Sequence, residues 1–258
     1  AEFSYLVYPG GLEDGIIHRR THDEFIPNYS GIVDNNWAFG LTGFLSDLDE
    51  PTEQQDATLK LLRVFLYSQF EGQKILSIRA EEVSLQSECL EPLDQLTVTS
   101  SSLLNFPHAI ASIRAWVQRG GNLWIRLDRT GLDPARALLS EALPLSVVGE
   151  TTTNNVTLTL NPGYRQSLFP ARQFERTFDE PIRYVRVMQD GGDVMWSIDG
   201  WPVAIRVPVG RGNVMVTTVD SSVFFERRER KREDTPEFQL MPSTEIMQRT
   251  LFANREEF

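Results

Sequence analysis

The spacing of hydrophobic residues changes period along the chain, and the change is clearest between residues 93 and 128. A short alternating run containing Leu96 and Val98 passes through Ser100-Ser101-Ser102 into a helical pattern. After Gly120-Gly121 a second alternating run carries Leu123, Ile125 and Leu127. Alternation predicts strands, and spacings of three and four predict a helix. The helix sets Ile110, Ile113 and Val117 on one face with Ala109 and Trp116 beside them, while Ser112, Arg114 and Gln118 point away. Pro107 suits its first turn and Gly120-Gly121 its end. Two strands joined by a crossover helix lie parallel, and a parallel sheet needs helices on both faces. An α/β domain is predicted.

The same reading extends in both directions. Residues 1–50 are turn-rich around Pro9-Gly10-Gly11 and read as a β-rich segment packed on a main domain at 51–258, with a strand-like run at 37–45. Thr52 to Gln55 has the form of a capping box, and Leu59, Leu62, Leu66 and Phe70 then keep helical spacing until Gly72, which predicts a helix over 53–70. A strand is expected at 74–80. Asp133 is the expected N-cap of a later helix with Pro134 at its first position, burying Ala135, Leu138, Leu139 and Ala142. The predicted order to this point is β-α-β-β-α-β-α.

From residue 145 the texture becomes β-rich, with short strands at 147–148, 156–160, 184–188, 194–198 and 203–207. Asp199-Gly200 is a two-residue hairpin signal, and Pro202 suits an edge strand. This section, about 145–208, reads as an insertion. Gly210-Arg211-Gly212 then leads into a strand at 213–219 that returns to the main sheet, and Pro242-Ser243 opens a final helix to about residue 253.

Composition narrows the partners. A net charge of −11 disfavours phosphate backbones and anionic membrane surfaces, so nucleic acid is not an expected partner. The single cysteine excludes an intramolecular disulfide and a cysteine-rich zinc site. The run at 226–234 holds five basic and four acidic residues, which nearly cancel, and reads as a solvated face.

Few side chains carry chemistry. Cys89 sits between Glu88 and Glu91, which raise rather than lower a thiol pKa, so it reads as a structural cysteine. His18 and His22 have i, i+4 spacing beside Asp23 and Glu24, but no third ligand accompanies them, and no metal is assigned. His108 reads as a surface residue. Ser100, Ser101 and Ser102 stand at the carboxyl end of a predicted parallel strand, where open α/β sheets bind ligands, and read first as loop and capping residues.

The segment D-Q-L-T-V-T at 94–99, the helix ending W-V-Q-R-G-G-N-L-W-I at 116–125 and V-G-R-G-N-V-M-V-T-T-V-D at 209–220 together resemble the class I glutamine amidotransferase-like fold. The resemblance is to its non-enzymatic versions in the extracytoplasmic parts of membrane-anchored bacterial proteins, and it spans residues 59–220. It implies a three-layer, flavodoxin-like parallel sheet with the β-rich insertion. Enzymes of this class carry their nucleophile in a G-x-C-x-G turn directly after the strand that follows the crossover helix. The corresponding turn here is Leu127-Asp128-Arg129-Thr130-Gly131, with Arg129 in the place of the cysteine. A His-x-Glu pair is missing, since all three histidines precede residue 109. A guanidinium stays protonated and cannot accept an acyl group.

The resemblance therefore implies a catalytically inactive recognition or scaffolding module with no catalytic residues, metal or cofactor. It would be held on the periplasmic side by a membrane segment outside these 258 residues. Its expected partner is another protein or a small polar ligand. A ligand site, if kept, is expected at Ser100, Ser101, Asp128, Arg129 and Thr130. Two alternatives stand beside this reading: a hydrolase or amidotransferase-like enzyme using Ser101 or Asp128 with an unrecognised base, and a structural component of an envelope complex.

Overall fold

A computed structural model describes residues 41–48, 56–68, 74–84, 86–140, 143, 145–160, 172–227 and 238–240. Its frame is one nine-stranded sheet, parallel at one end and antiparallel at the other. The parallel strands are β1 (Leu41–Leu45), β2 (Lys74–Ile78), β3 (Gln95–Val98), β4 (Asn122–Arg126) and β9 (Gly212–Thr217), in the spatial order β2-β1-β3-β4-β9. β3 and β4 are buried along their whole lengths, as expected of strands covered on both faces.

Two hydrophobic cores flank the sheet. On one face Leu96, Val98, Leu123, Ile125, Val214 and Val216 pack with α2 (Pro107–Gln118) and α4 (Leu132–Leu139) through Ile113, Trp116, Val117 and Leu138. On the other, Phe44, Trp124 and Met215 meet α1 (Ala57–Ser68) through Leu59, Leu62 and Phe65. The crossover unit thus forms, but Ser112 of its helix is buried rather than outward, because its hydroxyl donates to the Ser84 carbonyl at 2.6 Å.

Several boundaries move for identifiable reasons. β1, from the expected N-terminal segment 1–50, lies inside the parallel sheet between β2 and β3, and residues 1–40 of that segment lie outside the described residues. α1 starts at Ala57, since Asp56 caps it by accepting the Thr58 N–H at 2.7 Å; Thr52 lies outside the described residues. β4 gives way after Arg126 to a single helical turn, α3 (Leu127–Thr130), so Leu127 is not in the strand. Gly131, not Asp133, precedes α4, and Asp133 falls in the first turn, where its charge suits the helix dipole. The expected final helix, the two N-terminal histidines and most of the charge cluster lie outside the described residues.

The β-rich stretch continues the same sheet. β8 (Trp201–Val209) pairs antiparallel with β9, followed outward by β7 (Asp193–Ile198), β5 (Leu145–Leu160) and β6 (Arg172–Gln189). The two expected short strands at 147–148 and 156–160 are one long strand, whose register shifts at Val147/Gly149 and Thr153/Asn155 accommodate its curvature. The ribbon then curls back: the Val185 N–H donates to the Thr218 carbonyl at 2.7 Å, and Tyr184 bridges Val219. The Asp199-Gly200 hairpin joins β7 to β8 with φ of 49° and 84°, the pair of positive values a tight primed turn demands. β8 is not an edge strand; Pro202 is tolerated because it faces the register shift at Trp196/Ser197. A small second sheet pairs β10 (Phe225–Arg227) with β11 (Phe238–Leu240).

The glycines of the two quoted motifs have a packing cause. The Gly210-Arg211-Gly212 turn sits against the end of α2, where the Arg211 N–H donates to the Gln118 carbonyl at 3.0 Å. A Cβ on Gly212 would overlap the Val117 and Gly121 carbonyls, and one on Gly121 would overlap the Trp116 ring. Gly131, by contrast, has φ of +79° and open space around it. Gly212→Ala is therefore expected to cost about 3 kcal/mol or more through overlap with backbone carbonyls, and Gly131→Ala about 1–2 kcal/mol through backbone strain alone, its φ of 79° and ψ of 174° being a region kept to glycine. Urea denaturation of the two variants checks the order; equal losses would contradict the packing account.

Candidate functional site

The carboxyl ends of the parallel strands hold two separate polar constellations, and the five predicted site residues divide between them. Ser100 and Ser101 follow β3, beside the loop after β1. Asp128, Arg129 and Thr130 form α3 directly after β4.

At the first constellation the serines enclose a carboxylate. Asp47 accepts hydrogen bonds from the Ser100 hydroxyl at 2.5 Å, the Ser101 N–H at 2.8 Å, the Ser101 hydroxyl at 2.9 Å and the Ser102 hydroxyl at 2.6 Å. Burial opposes the charged form, but these donors prevail and hold the Asp47 carboxyl at about 2 against an ordinary 3.8. The loops after β1 and β3 are thereby tied together at the point where the strand order reverses, the usual ligand position of such sheets. Asp47 was not anticipated from sequence, since nothing in S-D-L-D-E marks it apart from its neighbours.

The second constellation is built around Arg126, the last residue of β4, with a side chain 0% exposed. All five of its N–H donors are used. Nε and one Nη2 proton meet Asp128 at 3.0 and 2.6 Å, the other Nη2 proton meets the Val219 carbonyl at 3.2 Å, and Nη1 donates to the hydroxyls of Thr58 and Ser221. One side chain thus joins the start of α1, the turn after β4 and the segment after β9. Burial works against its charge, yet the carboxylates of Asp128, Asp220 and Asp56 outweigh that and raise its pKa. Burial also pushes the Asp128 carboxyl up, against the pull of Arg126.

The remaining groups surround this pair. Asp220 accepts the Ser222 N–H at 2.8 Å; burial opposes its charge, but Arg126, Ser222 and Arg129 hold its carboxyl below the ordinary value. Thr130 is buried and donates to the Arg126 carbonyl at 2.9 Å, so it closes α3 rather than facing a ligand. Arg129 is 42% exposed and reaches Asp56 at 3.7 Å. Asp128, Arg129 and Thr130 are legible in the sequence, whereas Arg126, whose place in N-L-W-I-R resembles an ordinary strand terminus, and Asp56, which is distant along the chain, are not.

The other candidates take structural roles. Cys89 is buried, which pushes its thiol up, with the Glu88 charge adding to the effect. The His108 ring meets Phe106 edge-on at 6.0 Å and, among the described residues, hydrogen-bonds to none of the serines, Cys89 or Asp128. Among the described residues no group of three histidine, cysteine, aspartate or glutamate side chains is arranged to hold a metal ion.

No protein-family model and no curated protein matches the chain. Solved structures do. One is Cytoplasmic Protein STM1381 from Salmonella typhimurium LT2, at 16% identity and a TM-score of 0.52 over 70% of this chain and 88% of that one. Cytoplasmic Protein STM3548 from Salmonella typhimurium follows at 16% identity and 0.51 over 69% and 87%. A ThuA-like protein from Bacteroides uniformis ATCC 8492 overlaps at 8% identity and 0.47 over 71% and 83%. At these identities the first two likenesses are of fold alone.

Two expectations follow from the geometry. Arg126→Met leaves the Asp128 carboxylate buried without its partner and is expected to cost about 3–5 kcal/mol. The double variant R126M/D128N, which removes both charges, should recover part of that loss in chemical denaturation; a double variant no better than R126M would refute the charge-pair account. For Asp47, the folded-state pKa is depressed, so its stabilisation is present above pH 3.8 and lost as pH falls toward 2. Asp47→Asn should be less stable than the native chain at pH 7, and the gap should close as pH is lowered through that window.

Proposed function

We propose that this protein is a recognition module of the class I glutamine amidotransferase-like, flavodoxin-like kind that performs no amidotransferase chemistry. The spatial order of its five parallel strands, β2-β1-β3-β4-β9, supports the flavodoxin-like winding, which runs second, first, third, fourth, fifth. The antiparallel strands 145–209 then correspond to the β-rich insertion, continuous with the sheet.

The observation that carries the functional reading is the state of the turn after β4. An acyl-transfer enzyme needs a nucleophile there, next to a base that takes its proton. This turn presents Arg129, and its neighbouring carboxylate, Asp128, is engaged by Nε and Nη2 of Arg126. The serines of the neighbouring loop are likewise committed, as donors to Asp47. Such an edge is suited to holding a polar ligand or a protein partner in a fixed frame. Location outside the cytoplasm through a membrane anchor belongs to the same proposal and is tested by fractionation of the source cells.

The direct test is a thermal-shift screen of the purified protein against sugars, nucleotides, carboxylates and amines, run beside glutaminase and esterase assays. A shift without turnover is the expected result. No shift with any compound would leave a protein partner as the ligand class. Glutamine or ester hydrolysis that disappears in Ser101→Ala would overturn the non-catalytic reading and favour the enzyme.

A further inference from the structure

The charges around Arg126 do not balance, and the imbalance has a location. Three aspartates, Asp56, Asp128 and Asp220, surround two arginines, Arg126 and Arg129. Arg126 has no donor left for Asp56 or Asp220, because Asp128, Thr58, Ser221 and Val219 take all five. Asp220 is served by the Ser222 N–H. Asp56 is different. Its Oδ1 caps α1, but its Oδ2 is buried with no hydrogen-bond partner among the described residues, in a side chain only 1% exposed. A buried carboxylate oxygen without a donor is costly and rare. Arg129 stands 3.7 Å away on a half-exposed side chain, too far for a hydrogen bond. Arg183, on the neighbouring β6, is held by Glu150 at 2.6 Å.

We infer that the contact of Arg129 with Asp56, where α3 meets the start of α1, is a site for a cationic ligand group, an alkylguanidinium or alkylammonium, whose N–H donates to Asp56 Oδ2 while Arg129 swings out to solvent. The inference rests on the recognition reading above and names the ligand class for that edge of the sheet. Arg129 is then the built-in occupant that a ligand displaces, and Asp220 supplies the second negative charge. A donor cation suits the site better than a metal ion, because the carboxylates are spread around Arg126 rather than converging on one point.

Calorimetric titration with methylguanidinium, against sodium chloride and tetramethylammonium at equal ionic strength, tests this. Tetramethylammonium carries charge without an N–H, so it separates a donor site from general attraction to an anionic protein. The native chain should bind methylguanidinium saturably. Arg129→Ala, which removes the competitor, should bind about ten-fold tighter, and R129A/D56N, in which asparagine still caps α1, about ten-fold weaker than R129A. Should R129A unfold, Arg129→Gln serves in its place. Equal binding by R129A and R129A/D56N, equal binding of tetramethylammonium, or no saturable binding would overturn the site while leaving the recognition reading intact. Turnover of a bound amine would instead overturn the non-catalytic reading and leave the site standing.

Discussion

The constraint on which the architecture turns is a guanidinium buried at the end of a central parallel strand. A buried charge survives only where its donors are satisfied, and Arg126 meets that condition with partners from three parts of the chain: Thr58 in α1, Asp128 in α3, and Val219 and Ser221 after β9. Removing any one of those partners leaves a donor unmatched. The node therefore links the entry of α1, the exit of β4 and the exit of β9. Asp220, next to Ser221, also donates its N–H to the Arg183 carbonyl at 3.4 Å, which joins the curled β6 to the same point.

The amino ends of β4 and β9 are held by close packing of the chain. Gly121 and Gly212 let the loop after α2 and the β8–β9 turn lie against one another and against Trp116, with carbonyls of Val117 and Gly121 close to Gly212. No side chain fits there. At β4 and β9 the buried guanidinium thus lies at the carboxyl ends and the close-packed glycines at the amino ends.

How much of this could be read beforehand depended on the range of the interaction. The crossover unit was legible because periodicity, Pro107 and the glycine pair are local and agree with each other. The Asp199-Gly200 turn was legible for the same reason. What failed was set by distant partners. β1 enters the sheet between two strands that follow it in sequence, a topology no local pattern encodes. Ser112 looked outward by spacing but is drawn in by the Ser84 carbonyl. At the candidate site Arg129 was visible as a departure from a family motif. Arg126 and Asp47 were not, because their roles arise only when segments about 50 to 95 residues apart meet.

The two polar constellations answer the same physical problem in opposite ways. Parallel strands end in loops that gather unpaired backbone donors and polar side chains at one edge, and these need partners. At the end of β3 the donors are satisfied internally by the Asp47 carboxylate, which leaves that corner closed to an external anion. At the end of β4 the excess lies on the acceptor side: Arg126 matches Asp128, Ser222 matches Asp220, and Asp56 Oδ2 is left without a donor beneath a half-exposed arginine. An edge closed to anions at one corner and short of one cationic donor at the next has a defined polarity. Arg129 thus places a positive charge against a group built from three aspartates.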